Sequence, residues 1–231
     1  MKSNKKIIKK WKKLLDEIIN DLTNLVENRY IFNKIVAICK GNEDLKEDNV
    51  FWQFLRINYI SSAVLNICRQ VDTHPDSLSL INLLNEILQN PKAITKRWFA
   101  SQYQKNIKGD PKKMDDFKRV MFGVGKVDFE NKFGSRNFIR KLTVSSDVRE
   151  LKCHTKNIKE FRHKRIAHLD KNRKLKFNIS FNDLNNTIDV LEKTALKYNL
   201  LLNQAAYAGG TLLPTIQYDW KKIFKSPWIK K

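Results

Sequence analysis

Two arginines and a histidine occupy unusual positions in the segment from residue 158 to residue 170. On a helix that turns about 100° per residue, Arg162, Arg165 and His168 lie on the same face as neighbouring apolar residues. These apolar residues are Leu151, Ile158, Phe161 and Leu169. Charged side chains are rarely buried unless they are paired or functional. We therefore take the three side chains as a candidate site, with pairing to acidic groups in the core as the alternative.

The side chains of Arg162 and His168 suit the cleavage of RNA, which carries its own nucleophile, the 2′-hydroxyl. The reaction removes the proton of this hydroxyl, protonates the leaving 5′-oxygen and passes through a phosphorane with additional negative charge. Histidine exchanges protons near neutral pH because its reference pKa is about 6.5. Arginine presents a permanently charged fork that matches phosphate oxygens. The four histidines lack a zinc-binding spacing, so we expect neither a metal nor a cofactor.

The same segment resembles a known family. The string from Arg162 to His168 is similar to the R-x(4–6)-H motif of the HEPN superfamily, and its continuation to Asp170 resembles the abortive-infection U-type branch. An upstream block, which opens with Phe51-Trp52 and includes Arg69-Gln-Val-Asp72, is similar to another block of that branch. The resemblance covers roughly residues 50 to 205.

This resemblance implies an all-α, HEPN-like antiparallel helical bundle. It also implies a metal-independent endoribonuclease of the phage-defence or toxin type, which leaves a 2′,3′-cyclic phosphate and a 5′-hydroxyl on its RNA substrate. Such proteins generally act as homodimers with a composite active site. We expect Arg162 to stabilise the phosphate and His168 to transfer protons. The alternative is a non-catalytic HEPN-like module that binds RNA or nucleotides, or dimerises.

Four accessory residues complete the expected site: His163, Arg165, Arg69 and Asp72. The helical projection places His163 on the outward side, where it can contribute only if that side meets the second chain. Arg69 and Asp72 are three residues apart, so they can pair on one helix face. That pair could flank the site or simply finish the helix.

One position departs from a related toxin subgroup. In that subgroup a tyrosine stands two residues after the motif histidine and is modified by a partner nucleotidyltransferase, whereas this chain has Asp170 there. We therefore do not expect silencing by tyrosine modification. The identity of any antitoxin or trigger protein stays open.

The composition favours a polyanionic partner. The 231 residues include 45 Lys and Arg against 24 Asp and Glu, a net charge of +21, which favours a partner such as nucleic acid or an anionic membrane surface. A protein that is merely basic is the alternative. Three scattered cysteines, Cys39, Cys68 and Cys153, indicate reduced core thiols. Because no apolar run is long enough to cross a bilayer, we expect a cytoplasmic protein without stable membrane insertion.

The chain length suits a single domain over residues 1–231, with a HEPN-like core at about 50–205 and helical extensions on either side and in the middle. The N-terminal extension is an amphipathic helix over 3–27, followed by a second helical piece over 29–39. Its lysine-rich face is typical of a core-packed helix with a solvated side, or of a membrane-surface helix. The C-terminal extension is a basic aromatic tail over 218–231, which could contact RNA or a partner, or pack against the domain.

The motif helix is expected from Ser145 or Ser146 to Leu169, and a capping box at Ser180 and Asp183 predicts the start of the last long helix. Between residues 112 and 140 the chain is basic and aromatic, which suggests an irregular helical excursion. Gly123-Val-Gly-Lys126 lacks the first glycine and the hydroxyl of a phosphate loop, so we reject that interpretation.

Overall fold

The computed structural model describes residues 2–41, 50–105, 111–167, 179–216 and 218–225. This part of the chain is all-α, as expected, and forms no β-strand beyond an isolated bridge between Thr95 and Phe138. Its seven α-helices are α1 (Lys2–Lys40), α2 (Val50–Gln70), α3 (Leu80–Gln89), α4 (Lys96–Gln102), α5 (Pro111–Phe133), α6 (Lys141–Phe161) and α7 (Phe181–Asn203). None of the described helices is both long and apolar enough to cross a membrane.

Helix α1 is one continuous helix, so the prediction of two pieces divided near residue 28 was wrong. The sequence around that point contains no glycine or proline, and Arg29 is bonded to α7 through Asp189 and Glu192. The apolar face of α1 packs against α2, α3 and α7 and belongs to the main core. Its most deeply buried members are Trp11, Leu15, Ile18, Leu22 and Leu25. This face is therefore not available for insertion into a lipid surface.

Helix α7 follows its sequence signals closely. Ser180 accepts a hydrogen bond from the backbone N–H of Asp183, and the Asp183 carboxylate accepts one from the backbone N–H of Ser180. The predicted apolar stripe is buried along its whole length: Leu184, Ile188, Leu191, Ala195, Tyr198 and Leu202. The helix ends at Asn203, where Gln204 adopts the left-handed conformation, six residues before the Gly209-Gly210 pair that was expected to stop it.

Helix α5 is continuous from Pro111 to Phe133, so the predicted irregular excursion over residues 112–140 was wrong for most of its length, and only residues 134–140 lie outside a helix. The phenylalanines of this stretch divide by helical position: Phe129 and Phe133 are fully buried, whereas Phe117 is exposed. Gly125 is buried against α4, where an added Cβ would lie 2.8 Å from the Cα of Ala100. The glycine therefore permits close contact between two helices.

Helix α6 begins at Lys141, four residues before the expected start, and ends at Phe161. A π-helical turn, Arg162–Ala167, follows directly. The predicted end of the motif helix, His168 to Leu169, lies outside the described residues, as do Asp170 and the tail beyond residue 225. In the described part of the tail, Trp220 and Phe224 form an edge-to-face contact. Of the cysteines, Cys68 is buried but Cys153 is exposed, which corrects the expectation of three core thiols.

Candidate functional site

The candidate site lies where the C-terminal end of α2 meets the π-helical turn after α6. π-helical turns are rare and occur often at functional sites. Backbone bonding from residue i to i+5 advances each residue by less than the 100° of an α-helix. A projection at 100° per residue therefore gives incorrect side-chain directions after Phe161.

Arg162 is exposed, whereas the regular projection placed it on the buried face. Arg165 is half-buried, and the apolar residues Phe161 and Ile166 pack partly against the core. The change of pitch at Arg162 explains the difference. None of the ion pairs among the described residues involves Arg162, so no acidic group in the described core pairs with it.

The side chain of Arg162 lies close enough to the thiol of Cys68, a residue of α2 that is 1% exposed, to influence its pKa. Burial raises the pKa of the Cys68 thiol, and the charges of Arg162 and Lys159 oppose that rise. The thiol is therefore uncharged at neutral pH. It holds the motif arginine against α2 without cancelling its positive charge.

Lys159 provides a second link between the two helices. Its Nζ donates to the carbonyl oxygen of Val71 at 3.0 Å, just past the end of α2. Lys164 pairs with Glu160 at 2.7 Å, one turn away on the same segment. The surface around Arg162 is thus strongly basic, with one of its lysines neutralised. This charge can attract a phosphate backbone.

The expected pairing of Arg69 with Asp72 is not formed. Arg69 instead forms an ion pair with Asp21 of α1 at 3.1 Å, and donates to Asn66. The Asp72 carboxylate accepts from the Ser77 hydroxyl at 2.7 Å and from the backbone N–H of His74 at 3.1 Å. The helix ends at Gln70, so the two side chains no longer share a regular helical face. Arg69 joins α2 to α1, and Asp72 closes the turn before α3.

The structure therefore brings together Arg162, His163 and Arg165 on one turn, with Arg69 and Asp72 near the adjoining end of α2. His163 is exposed, as the projection suggested. His168 lies just beyond the described residues. Sequence analysis missed Cys68 and Lys159 as contacts of the site. Cys68 was taken for a plain core thiol, because its neighbour across the helix interface is set by tertiary packing.

The described residues form an all-α bundle, the sequence contains the Arg-x(5)-His string from Arg162 to His168, and a family model matches the chain; together these define the class of protein as the HEPN superfamily. Over residues 8–223 the chain matches the HEPN_AbiU2 family model, described as AbiU2. The chain belongs to this abortive-infection, U-type branch of the superfamily. The match includes most of α1 and so extends well beyond residues 50–205. No curated protein and no solved structure gives a significant match.

Proposed function

We propose that the protein is a metal-independent endoribonuclease of the phage-defence or toxin type. Its RNA product carries a 2′,3′-cyclic phosphate and a 5′-hydroxyl. The observation that carries this proposal is the exposed side chain of Arg162, which forms no ion pair among the described residues and lies beside Cys68 at the start of a π-helical turn in the family motif.

In the proposed reaction the 2′-oxygen attacks the adjacent phosphorus while a base removes the proton of the hydroxyl. The bond from phosphorus to the 5′-oxygen then breaks, and an acid protonates that oxygen. Arg162 stabilises the negative charge that develops on the phosphorane oxygens, because it is a fixed cation with a forked donor geometry. His168 performs proton transfer. Arg165 and His163 position the RNA.

A homodimer supplies the second proton-transfer group, because two chains together carry two copies of His168. Support comes from the exposed apolar stripe on α2, with Phe54, Ile57 and Leu65 on one face at 59%, 63% and 44% exposure. A soluble helix that exposes such a stripe commonly covers it by association. The stripe lies on the helix that carries Cys68, so a dimer through α2 keeps both copies of the site close to its interface.

The experiment that tests the proposal compares wild type with His168→Ala on total RNA and purified tRNA, in the presence of a chelator. Wild-type cutting that leaves cyclic phosphate ends and is lost in the variant supports the nuclease. RNA binding is measured for both proteins. Equal inactivity with retained binding would instead favour the non-catalytic RNA-binding module.

A further inference from the structure

A second basic feature lies away from the motif, in a groove between α1 and α4. Its volume is about 310 Å³, and it continues into a cavity of about 500 Å³ that shares Lys12, Gln102 and Lys105 with it. We call it the Lys–Trp groove, and define it by Lys5, Lys9, Lys12, Trp98, Gln102 and Lys105. It combines four lysines with one aromatic ring.

Among the described residues, no ion pair involves any of the four lysines that line this groove. The Nζ of Lys12 lies 5.9 Å from the centroid of the Trp98 ring. Burial lowers the pKa of Lys12, and the charge of Lys105 lowers it further, while Asp16 opposes both. Neighbouring Lys10 faces elsewhere and pairs with Glu86 at 2.7 Å. The groove therefore holds like charges close together, and a bound anion would relieve their repulsion.

The spacing of the groove suits an extended polyanion. Lys5 and Lys9 are four residues apart on α1, so they lie on one face at about 6 Å from each other. This separation is comparable to that of neighbouring phosphates along an RNA strand. Trp98 is half-buried and lines the groove, where its ring can accept a stacked base.

A lipid surface is the less suitable partner for the same lysines. Membrane-surface helices insert their apolar face below the headgroups, but on α1 that face is in the protein core, with Trp11 and Leu15 at 0% exposure. Single-stranded RNA needs only the charged groove and the ring. The groove also lies on the helix that reaches the site: Lys12 precedes Asp21, the partner of Arg69, by nine residues, or about 14 Å along the axis.

We propose that the Lys–Trp groove binds single-stranded RNA, with its lysines on successive phosphates and a base stacked on Trp98. This inference rests on the proposed function, in that the RNA held here is the strand cut at Arg162. The groove then extends the RNA contact beyond the scissile phosphate and favours unpaired substrates.

The test measures binding of a short labelled single-stranded RNA by fluorescence anisotropy, in the His168→Ala background so that the RNA stays intact. The groove variant is Lys5→Gln/Lys9→Gln/Lys105→Gln. The matched control, Lys6→Gln/Lys13→Gln/Lys34→Gln, removes the same charge from exposed lysines that do not line the groove. We expect the groove variant to raise Kd at least about tenfold and the control to change it less than about threefold.

The salt dependence of RNA binding shows how many phosphates the lysines of the groove contact. Each phosphate contact on a single strand contributes about 0.7 to the slope of log affinity against log salt. The groove variant, which lacks three lysines, should lower this slope by about 2. Trp98→Leu should weaken binding about tenfold and leave the slope unchanged, because the ring carries no charge. Melting temperatures confirm that each variant is folded. Equal losses in the groove and control variants, or an unchanged Kd in the groove variant, would overturn the inference.

Two further results separate this inference from the proposed function. If the wild-type protein binds RNA through the groove but never cuts it, the proposed nuclease function is refuted and the proposed RNA-binding groove is retained. If the wild-type protein is a nuclease and the groove variant binds and cuts RNA like wild type, only the proposed role of the groove is refuted. Binding to phosphatidylserine vesicles that depends on the groove, with RNA binding unaffected, would replace RNA with a membrane and overturn the inference.

Discussion

The side chain of Arg162 lies beside the buried thiol of Cys68, so the motif arginine is held against a neighbouring helix. A long side chain loses several rotatable degrees of freedom when it must hold one geometry. An anchor formed before RNA binds reduces this cost at the moment of reaction. Because the thiol is neutral, it does not compete with phosphate for the charge of the arginine.

Replacing Cys68 with valine should lower the rate constant for RNA cleavage about tenfold, the effect expected from about 1.4 kcal/mol. Cys68→Ser keeps a hydrogen-bond acceptor at the same place and should retain the rate within about threefold. The measurement is single-turnover cleavage at saturating enzyme, with melting temperatures for both variants. A valine variant that cuts at the wild-type rate would show that the anchor has no role.

Acid should weaken the fold through Asp72. Hydrogen bonds from Ser77 and His74 hold the pKa of the Asp72 carboxyl below its usual range. A carboxyl whose folded pKa is lowered stabilises the fold above its unfolded pKa, about 3.9, and this contribution is lost as pH falls through the folded value. The melting-temperature difference between wild type and Asp72→Asn should therefore be full at about pH 6 and shrink below about pH 4.

The matched control for this prediction is Asp76→Asn. The Asp76 side chain is 94% exposed in the same turn, and its replacement should change the melting temperature little at any pH. A difference between wild type and Asp72→Asn that stays constant down to about pH 3 would contradict the assignment of Asp72 to the turn.

Gly125→Ala should destabilise the fold by about 1–3 kcal/mol, because the new methyl group meets the backbone of Ala100 at 2.8 Å. Gly123→Ala is the control on the same helix. Apart from its chain neighbours and the backbone of α5 itself, no atom of the described residues lies within 4 Å of its added Cβ, so higher helix propensity should stabilise the protein by up to about 1 kcal/mol. Denaturant unfolding of both variants measures the two free energies. Equal effects would show that α4 and α5 do not approach closely at Gly125.

Local sequence signals predicted the helices well where packing agreed with them. The capping box at Ser180 and Asp183 fixed the start of α7, and the apolar spacing of α1 predicted its buried face. The partner of Arg69 could not be predicted in this way, since Asp21 lies 48 residues earlier and is brought close only by helix packing. The same holds for Cys68 and Arg162.

The change of pitch after Phe161 had no recognised sequence signal. The constant-pitch projection found the correct residue types for the site, but it assigned Arg162 to the interior when the side chain is exposed. The family motif carried the prediction of chemistry, since helical periodicity alone describes only which faces are buried. The division of the chain into a core and extensions stays a prediction.

Ile57→Glu should dissociate the proposed homodimer. The Ile57 side chain is 63% exposed in the middle of the apolar stripe on α2, and a charge there opposes burial at an interface. Leu142→Glu, on α6 and 68% exposed, is the control outside the stripe. Light scattering after size-exclusion chromatography measures the mass of each. A wild-type monomer, or a dimer that survives Ile57→Glu, would place the interface elsewhere or remove it.

The most direct test of the central claim is cleavage of a single purified tRNA by wild type, Arg162→Ala and Arg149→Ala in the presence of a chelator, with analysis of the product ends. Arg149 is exposed on α6, the helix that precedes the π-helical turn, and serves as the control. We predict cyclic phosphate ends from wild type and Arg149→Ala at similar rates, and a loss of about a hundredfold or more in Arg162→Ala. A folded Arg162→Ala protein that cleaves the tRNA at the wild-type rate would contradict the account, as would wild-type activity that is lost when the chelator is added.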